Sequence, residues 1–64
     1  MCLSKVYIKE GDKDDLLIED VSEVRNENGA ITVNTIFGVG KKVKGYFIKE
    51  VNFVNNYLIL RKEG

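Results

Sequence analysis

Glycines divide this sequence into segments of about the length of a β-strand. They stand at positions 11, 29, 38, 40, 45 and 64, and the chain contains no proline. Between them apolar and polar residues alternate, as in the first segment, where Val6 and Ile8 fall on one face and Lys5, Tyr7 and Lys9 on the other. Alternation with a period of two is typical of strands that are buried on one side. We therefore predict an all-β fold.

The pattern predicts five short strands, of which the first three are joined by polar turns. The first strand covers residues 2–10, and the second runs from Leu16 to about Arg25. The third follows the pair Asn28-Gly29, which suits a tight hairpin because both residue types tolerate positive φ. In the third strand the odd positions are the apolar ones, so we expect the core face to consist of Ile31, Val33, Thr35 and Phe37. Asn34 is then expected to face outward.

The second half of the chain contains the last two predicted strands. The fourth covers residues 46–54, and the fifth covers 57–62 after a two-residue turn at Asn55-Asn56. Residues 38–45 contain three glycines and three lysines. This composition predicts a loop or a frayed edge between the third and fourth strands.

Two of the strands are expected to bend. In the second strand Ile18 and Val21 fall on opposite parities, which a β-bulge near Asp20 would explain. The fourth strand changes parity in the same way between Ile48 and Val51. Short, bent strands in this number favour a small five-stranded SH3-like barrel, and we predict one such domain over residues 1–64.

A domain of 64 residues has a small core, and domains of this size usually need a further source of stability, such as a disulfide, a metal ion or a partner chain. The one cysteine excludes an intrachain disulfide, which leaves self-association or a metal ion as that source. More apolar side chains are present than a core of this size can hold: Leu3, Tyr7, Ile36, Phe47 and Tyr57. We predict a homodimer that covers several of them. The alternative is that they are the scattered surface aromatic and aliphatic groups of an ordinary monomer.

Composition argues against catalysis and against a membrane or nucleic-acid partner. The chain lacks histidine and tryptophan, so histidine-dependent catalytic and zinc sites are excluded, and we predict a protein that is not an enzyme. Ten basic residues balance ten acidic ones, which makes nucleic acid a weak expectation. The apolar runs are far shorter than a membrane span, and the start of the chain has no signal-like region. We expect a cytoplasmic protein with a reduced thiol.

Cys2 is the residue with the most distinctive chemistry. If Met1 were removed, the amine and thiolate of Cys2 would form a five-membered chelate ring; if Met1 stays, its amine and the intervening amide nitrogen could join the thiolate. Two copies would then offer two nitrogens and two sulfurs, a set that suits Ni(II) or Cu(II) in a planar arrangement and Zn(II) in a tetrahedral one. The predicted metal ligands are therefore Cys2 and Met1. The alternative is that Cys2 is a small hydrophobic residue that completes the first strand.

Several short motifs occur in a characteristic order along nearly the whole chain. They are Met1-Cys2, Lys5-Val6-Tyr7, the run 17–21, Glu23-Val24, the run 35–38 and Val51. With their spacing and a cysteine in second position, they resemble the CooT family of small nickel-binding proteins. The resemblance implies an SH3-like homodimer that binds nickel through Cys2 at its N-termini and supplies nickel to carbon monoxide dehydrogenase. The implied partners are a second copy and a nickel enzyme or its maturation proteins. The lysine-rich stretch 38–45 does not match the family position by position.

A lysine-rich stretch suggests an alternative function. Four lysines are interleaved with two aromatic residues: Lys41, Lys42, Lys44, Lys49, Tyr46 and Phe47. A basic, aromatic edge on a small barrel is one way to hold single-stranded RNA, which makes an RNA-binding barrel the alternative function. The zero net charge and the neighbouring Glu50 argue against it. The same lysines could instead keep an edge strand from pairing with other sheets, or dock an acidic partner protein.

Overall fold

The computed structural model describes residues 3–63, and within that range the regular structure is entirely β. The strands are β1 (Ser4–Glu10), β2 (Lys13–Glu27), β3 (Ala30–Thr35), β4 (Gly40–Lys44), β5 (Tyr46–Asn52) and β6 (Tyr57–Lys62). They form a single sheet in the order β4-β3-β2-β1-β6-β5. The β1 and β6 strands run parallel, and the other neighbours are antiparallel. The predicted all-β class is confirmed.

The strand count differs from the expected five, because part of the stretch 38–45, which was predicted to be a loop or a frayed edge, is the edge strand β4. It pairs antiparallel with β3, from Gly40 opposite Asn34 to Lys44 opposite Ala30. An edge strand needs a neighbour on one side only, so glycine and lysine are tolerated there. A Cβ atom at Gly40 would lie 2.6 Å from the Asn34 Oδ1 atom, so a larger residue at this position would displace the Asn34 side chain.

The turns follow the local chemistry of asparagine and glycine. Asn28 and Gly29 have φ angles of 51° and 78° and form the two-residue hairpin predicted between β2 and β3. The turn between β5 and β6 is longer than the two residues expected. It spans 53–56, so β5 ends at Asn52, and it closes with Asn56 at a φ of 54°.

Bulges bend β2 and β5 where the parity of the sequence changes. Asp20 has a φ of 57°, and the register with β1 shifts between the pairs Val6–Ile18 and Ser4–Val21, as predicted. The register between β5 and β6 shifts after Ile48, which confirms the second bend. A further shift in β2 at residues 16–18 was not visible as a parity change in the sequence.

The core lies on one face of the bent sheet. Its buried members come from four strands, β1, β2, β3 and β6: Val6, Val21, Ile31, Val33, Leu58 and Leu60. The odd positions of β3 are buried as predicted up to Thr35, but the expectation for Phe37 is wrong, because this side chain is 72% exposed. The strand ends at Thr35, whose Oγ1 atom accepts hydrogen bonds from the backbone nitrogens of Phe37 (3.3 Å) and Val39 (3.2 Å). The chain therefore turns before Phe37 can reach the core.

The two edges of the sheet are close to each other because of the chain connection. The β4 and β5 strands stand at opposite ends of the strand order, yet only Gly45 separates them in sequence. The sheet must therefore curl until its edges approach. At the same corner the backbone nitrogen of Glu63 donates to the carbonyl oxygen of Gly45 at 2.7 Å. This curvature agrees with the SH3-like expectation, while a fully closed barrel stays a prediction.

Candidate metal and assembly site

The predicted ligands Met1 and Cys2 lie outside the described residues. The first strand of the described structure, β1, begins at Ser4, two positions after Cys2. Ser4 pairs with Val21 directly after the Asp20 bulge. The bulge bends β2 at this point, so the start of β1 lies beside a corner of the sheet.

A groove of about 170 Å³ runs beside Ser4. Its walls come from the start of β1, the middle of β2 and the β5–β6 turn, and they include the apolar side chains Val21, Val51 and Phe53. Polar side chains are also present, among them Asn52 and Asn56. The part of the structure nearest in sequence to Cys2 is thus a mostly apolar depression with a few polar groups on its walls.

The β5–β6 turn is joined to β1 by one backbone hydrogen bond and is closed by a second bond within the turn. The backbone nitrogen of Lys5 donates to the carbonyl oxygen of Asn56 at 3.1 Å. Inside the turn, the Asn52 Oδ1 atom accepts from the backbone nitrogen of Asn55 at 2.8 Å. These bonds leave Phe53 and Val54 pointing into solvent, with 85% and 88% of their surfaces exposed. Two adjacent apolar side chains exposed to this degree, next to a groove, are typical of a surface that another molecule covers.

Sequence reasoning missed Phe53 and Val54. Phe53 was assigned to the fourth predicted strand, where half of the residues would be buried. Their position directly before Asn55-Asn56 could have indicated that they belong to the turn. Side chains in a turn lie beyond the strands whose side chains form the core.

The carboxylate nearest the groove already has partners. Glu23 Oε1 accepts a hydrogen bond from Asn34 Nδ2 at 3.1 Å and lies 3.3 Å from Arg25 Nε. The hydrogen bond and the charge of Glu23, followed by the charge of Glu27, raise the pKa of Arg25 above its ordinary value. Glu23 is thus engaged in an ion pair rather than left as an open metal ligand.

Residues 3–63 do not themselves assemble a metal site. No group of three or more cysteine, aspartate, glutamate or histidine side chains in that range is close enough to share an ion.

The apolar residues expected at a dimer surface do not all lie together. Tyr7 and Tyr57 contact each other edge to face on the outer side of the sheet, with ring centroids 6.2 Å apart. Ile36 lies beyond the end of β3, where its backbone nitrogen donates to the carbonyl oxygen of Asp20 at 3.1 Å. Leu3, Tyr7 and Tyr57 are half-buried within the chain. Phe53 and Val54 are more exposed than any residue of the predicted set.

The lysine-rich stretch is divided between two edges of the sheet. In β4, Lys42 and Lys44 share a face, and Lys41 falls on the other face opposite Val33. Tyr46 packs against the hydrophobic core, and Phe47 lies on β5 opposite Arg61. The aromatic residues therefore do not form a stacking surface among the β4 lysines.

Comparisons with known proteins agree on one relationship. The sequence matches a family model described as CO dehydrogenase accessory protein CooT over residues 1–61. The fold is similar to a crystal structure assigned to CooT from Carboxydothermus hydrogenoformans, with a TM-score of 0.88 and 27% identity over 98% of this chain and 100% of that chain. A comparison with curated proteins found no match. Within residues 3–63, no helix with the length and apolar character of a membrane span is present.

Proposed function

The chain belongs to the CooT family of CO dehydrogenase accessory proteins, and from this membership and the groove beside Ser4 we propose that two copies bind one nickel ion through their Cys2 residues. As a CooT protein it is an accessory protein and not the enzyme itself. The observation that carries the proposal is the exposed pair Phe53–Val54 beside the start of β1, because it gives a second copy a surface to cover where the ligand-bearing end begins.

The number of donors favours a site shared by two chains. One N-terminus supplies the Cys2 thiolate and one or two nitrogens, and residues 3–63 supply no cluster of three metal-ligating side chains. A homodimer doubles the set to two sulfurs with their nitrogens, and a two-fold axis makes the two halves equivalent. Nitrogen and thiolate donors in a planar set suit Ni(II).

The position of Ser4 supports a shared site in such a dimer. Ser4 lines the groove and follows Cys2 by only two residues. If Phe53 and Val54 pack against a second copy, the beginning of β1 in each chain lies beside the same interface.

The proposed role is to carry nickel for the maturation of a nickel enzyme such as CO dehydrogenase. The ion is the cargo, so it must be bound firmly and also released. A site at a chain terminus between two subunits can open without unfolding either core. A cytoplasmic location, where a lone thiol stays reduced, belongs to the same proposal.

The proposal is tested by titrating nickel into the protein and into two variants. Cys2→Ser should lose tight binding and keep its fold, because a hydroxyl is a much weaker ligand for this ion. Thr32→Ser, a conservative change on β3 outside the groove, is the control and should bind like the parent protein. Thiolate-to-nickel charge-transfer absorption should appear in the parent protein and in the control but not in Cys2→Ser. Tight binding by Cys2→Ser, or an equal loss of binding in Thr32→Ser, would contradict the assignment.

A protein with extra residues before Met1 gives a second test. It keeps Cys2 but moves the terminal amine away, so it should bind nickel more weakly than the untagged protein. Affinity should also rise between about pH 6 and pH 8.5, because the amine and the thiol must lose protons before they bind the metal. Unchanged affinity in the tagged protein would contradict the amine as a ligand.

A further inference from the structure

The β4 strand has one backbone edge without a ladder partner in residues 3–63. It pairs with β3 on one side, and it stands at the end of the strand order. On the other side β6 reaches only as far as the corner, where the backbone nitrogen of Glu63 donates to the carbonyl oxygen of Gly45. From Lys44 back to Gly40 the described ladders leave this edge open. An open edge of this kind is a template for one more strand.

The charge of this edge has one sign. Lys41, Lys42 and Lys44 are exposed, and β4 contains no acidic residue. Elsewhere in the described part of the chain, Lys5 and Lys9 form ion pairs with Glu19 and Asp14, whereas none of the β4 lysines has a carboxylate within salt-bridge distance. An extended segment that pairs with β4 would therefore gain from carrying negative charge.

Small side chains leave room next to two of these lysines. Lys42 lies opposite Thr32 and Lys44 lies opposite Ala30 in the ladder. These four residues, with Glu27 and Asn28, line an open hollow of about 300 Å³. The one carboxylate there, Glu27, has its Oε1 atom 3.6 Å from Arg25 Nη1. This hollow lies on the β3 side of β4, so the carboxylates of an added strand would reach Lys42 and Lys44 from the opposite side, where the described ladders leave the edge open.

We infer that the open edge of β4 docks an extended acidic segment of a partner protein, which adds to the sheet as a further strand. Its backbone pairs with β4, and carboxylates at alternate positions face Lys42 and Lys44. Backbone bonds of this type give affinity, and the alternate side chains give specificity. This surface is separate from the groove beside Ser4, so the accessory protein could contact a partner while its nickel site is occupied.

Charge and packing argue against two other molecules that could occupy this edge, a second copy of the chain and single-stranded RNA. A second copy pairing edge to edge would place lysines of one β4 beside lysines of the other, and like charges in cross-strand positions are destabilising. Single-stranded RNA is bound by aromatic stacking as well as charge, but Tyr46 packs against the core and Phe47 lies on the strand at the other edge. An acidic polypeptide can pair with the open backbone edge of β4 and also place its carboxylates near the β4 lysines.

The test uses a synthetic peptide of about six residues, the usual length of a strand, with glutamate and threonine alternating. Amide NMR spectra of the full chain should show shifts and slower hydrogen exchange in β4 on addition of the peptide. A Lys42→Glu, Lys44→Glu double variant should bind about tenfold more weakly. A matched Lys13→Glu, Lys49→Glu double variant, with the same change in net charge away from β4, should bind like the parent protein.

Two control peptides separate the backbone from the charge. A peptide with lysine in place of glutamate should not bind, and a version with methylated backbone nitrogens should bind poorly because it cannot form the ladder. Equal binding of either control, or shifts outside β4, would overturn the inference. A single-stranded RNA oligomer that binds β4 more tightly than the peptide would also overturn it. Peptide binding should persist in Cys2→Ser, which makes this result independent of the nickel proposal.

Discussion

The phenolic oxygen of Tyr57 donates a hydrogen bond of 2.7 Å to Glu50 Oε2 across the β5–β6 pair. The β5 bulge after Ile48 positions Glu50 opposite Ile59, on the outer face that Tyr57 shares. Asn52 Nδ2 also lies 3.4 Å from the Tyr57 oxygen. The bond to Glu50, followed by partial desolvation, raises the pKa of Tyr57 above its ordinary value. A bulge that the sequence pattern indicated thus precedes the carboxylate whose hydrogen bond raises this pKa.

We expect this bond to make stability depend on pH at the alkaline end. The neutral phenol donates the bond, so its contribution is fully present below the unfolded pKa of about 10 and is lost as pH rises through the higher folded pKa. Tyr57→Phe should therefore be less stable than the parent protein at about pH 8, and the difference should shrink above about pH 10. Urea unfolding at several pH values measures this. A difference that stays constant with pH would contradict the account.

Truncating a buried core side chain should strongly lower the free energy of unfolding. Leu60 is fully buried on β6, so Leu60→Ala should cost about 2–5 kcal/mol, which is comparable with the whole stability of so small a domain. The matched control is Leu16→Ala, because Leu16 is exposed on β2 and should cost less than about 1 kcal/mol. Urea unfolding compares the two variants. Similar losses in both would show that the core is not where the structure places it.

Gly40 and Asn34 are expected to be energetically coupled. A Cβ atom at position 40 would displace the Asn34 side chain and break its bond to Glu23. Gly40→Ala should thus be less favourable by about 1 kcal/mol in the parent protein than in an Asn34→Ala background. A double-mutant cycle by urea unfolding measures the coupling. Additive effects would mean that a Cβ atom at position 40 does not compete with the Asn34 side chain for space.

Much of the fold could be predicted from local patterns. Alternation placed Ile31 and Val33 in the core, and Asn28-Gly29 marked the hairpin, because each depends on neighbours in sequence only. The bulge at Asp20 was visible as a change of parity. For β4 the sequence predicted only a loop or a frayed edge, since this strand is defined by pairing with β3 rather than by an apolar alternation of its own.

The candidate site was less accessible to sequence reasoning. The chemistry of Cys2 follows from its residue type and position, and the family match covers that position. The groove beside Ser4 depends on three elements meeting at a bend of β2, which no local pattern encodes. The exposure of Phe53 and Val54 likewise depends on how the β5–β6 turn is tied to β1.

The turn residues provide a test of the proposed dimer surface. Phe53→Ser should weaken dimerisation, because Phe53 is 85% exposed and lines the groove. Phe37→Ser is the matched control, since Phe37 is also exposed but lies outside the groove. Loss of one buried aromatic contact should raise the dissociation constant by at least about tenfold. Sedimentation velocity over a dilution series gives both constants, and equal constants for the two variants would place the interface elsewhere.

The central claim is that one nickel ion is shared by two chains, and native mass spectrometry tests it most directly. Purified protein without a tag is mixed with increasing Ni(II), and the masses of the intact species are recorded. We predict a species with two chains and one nickel ion, which is absent in Cys2→Ser. A monomer that carries one tightly held ion, or a dimer that carries one ion per chain, would contradict the account.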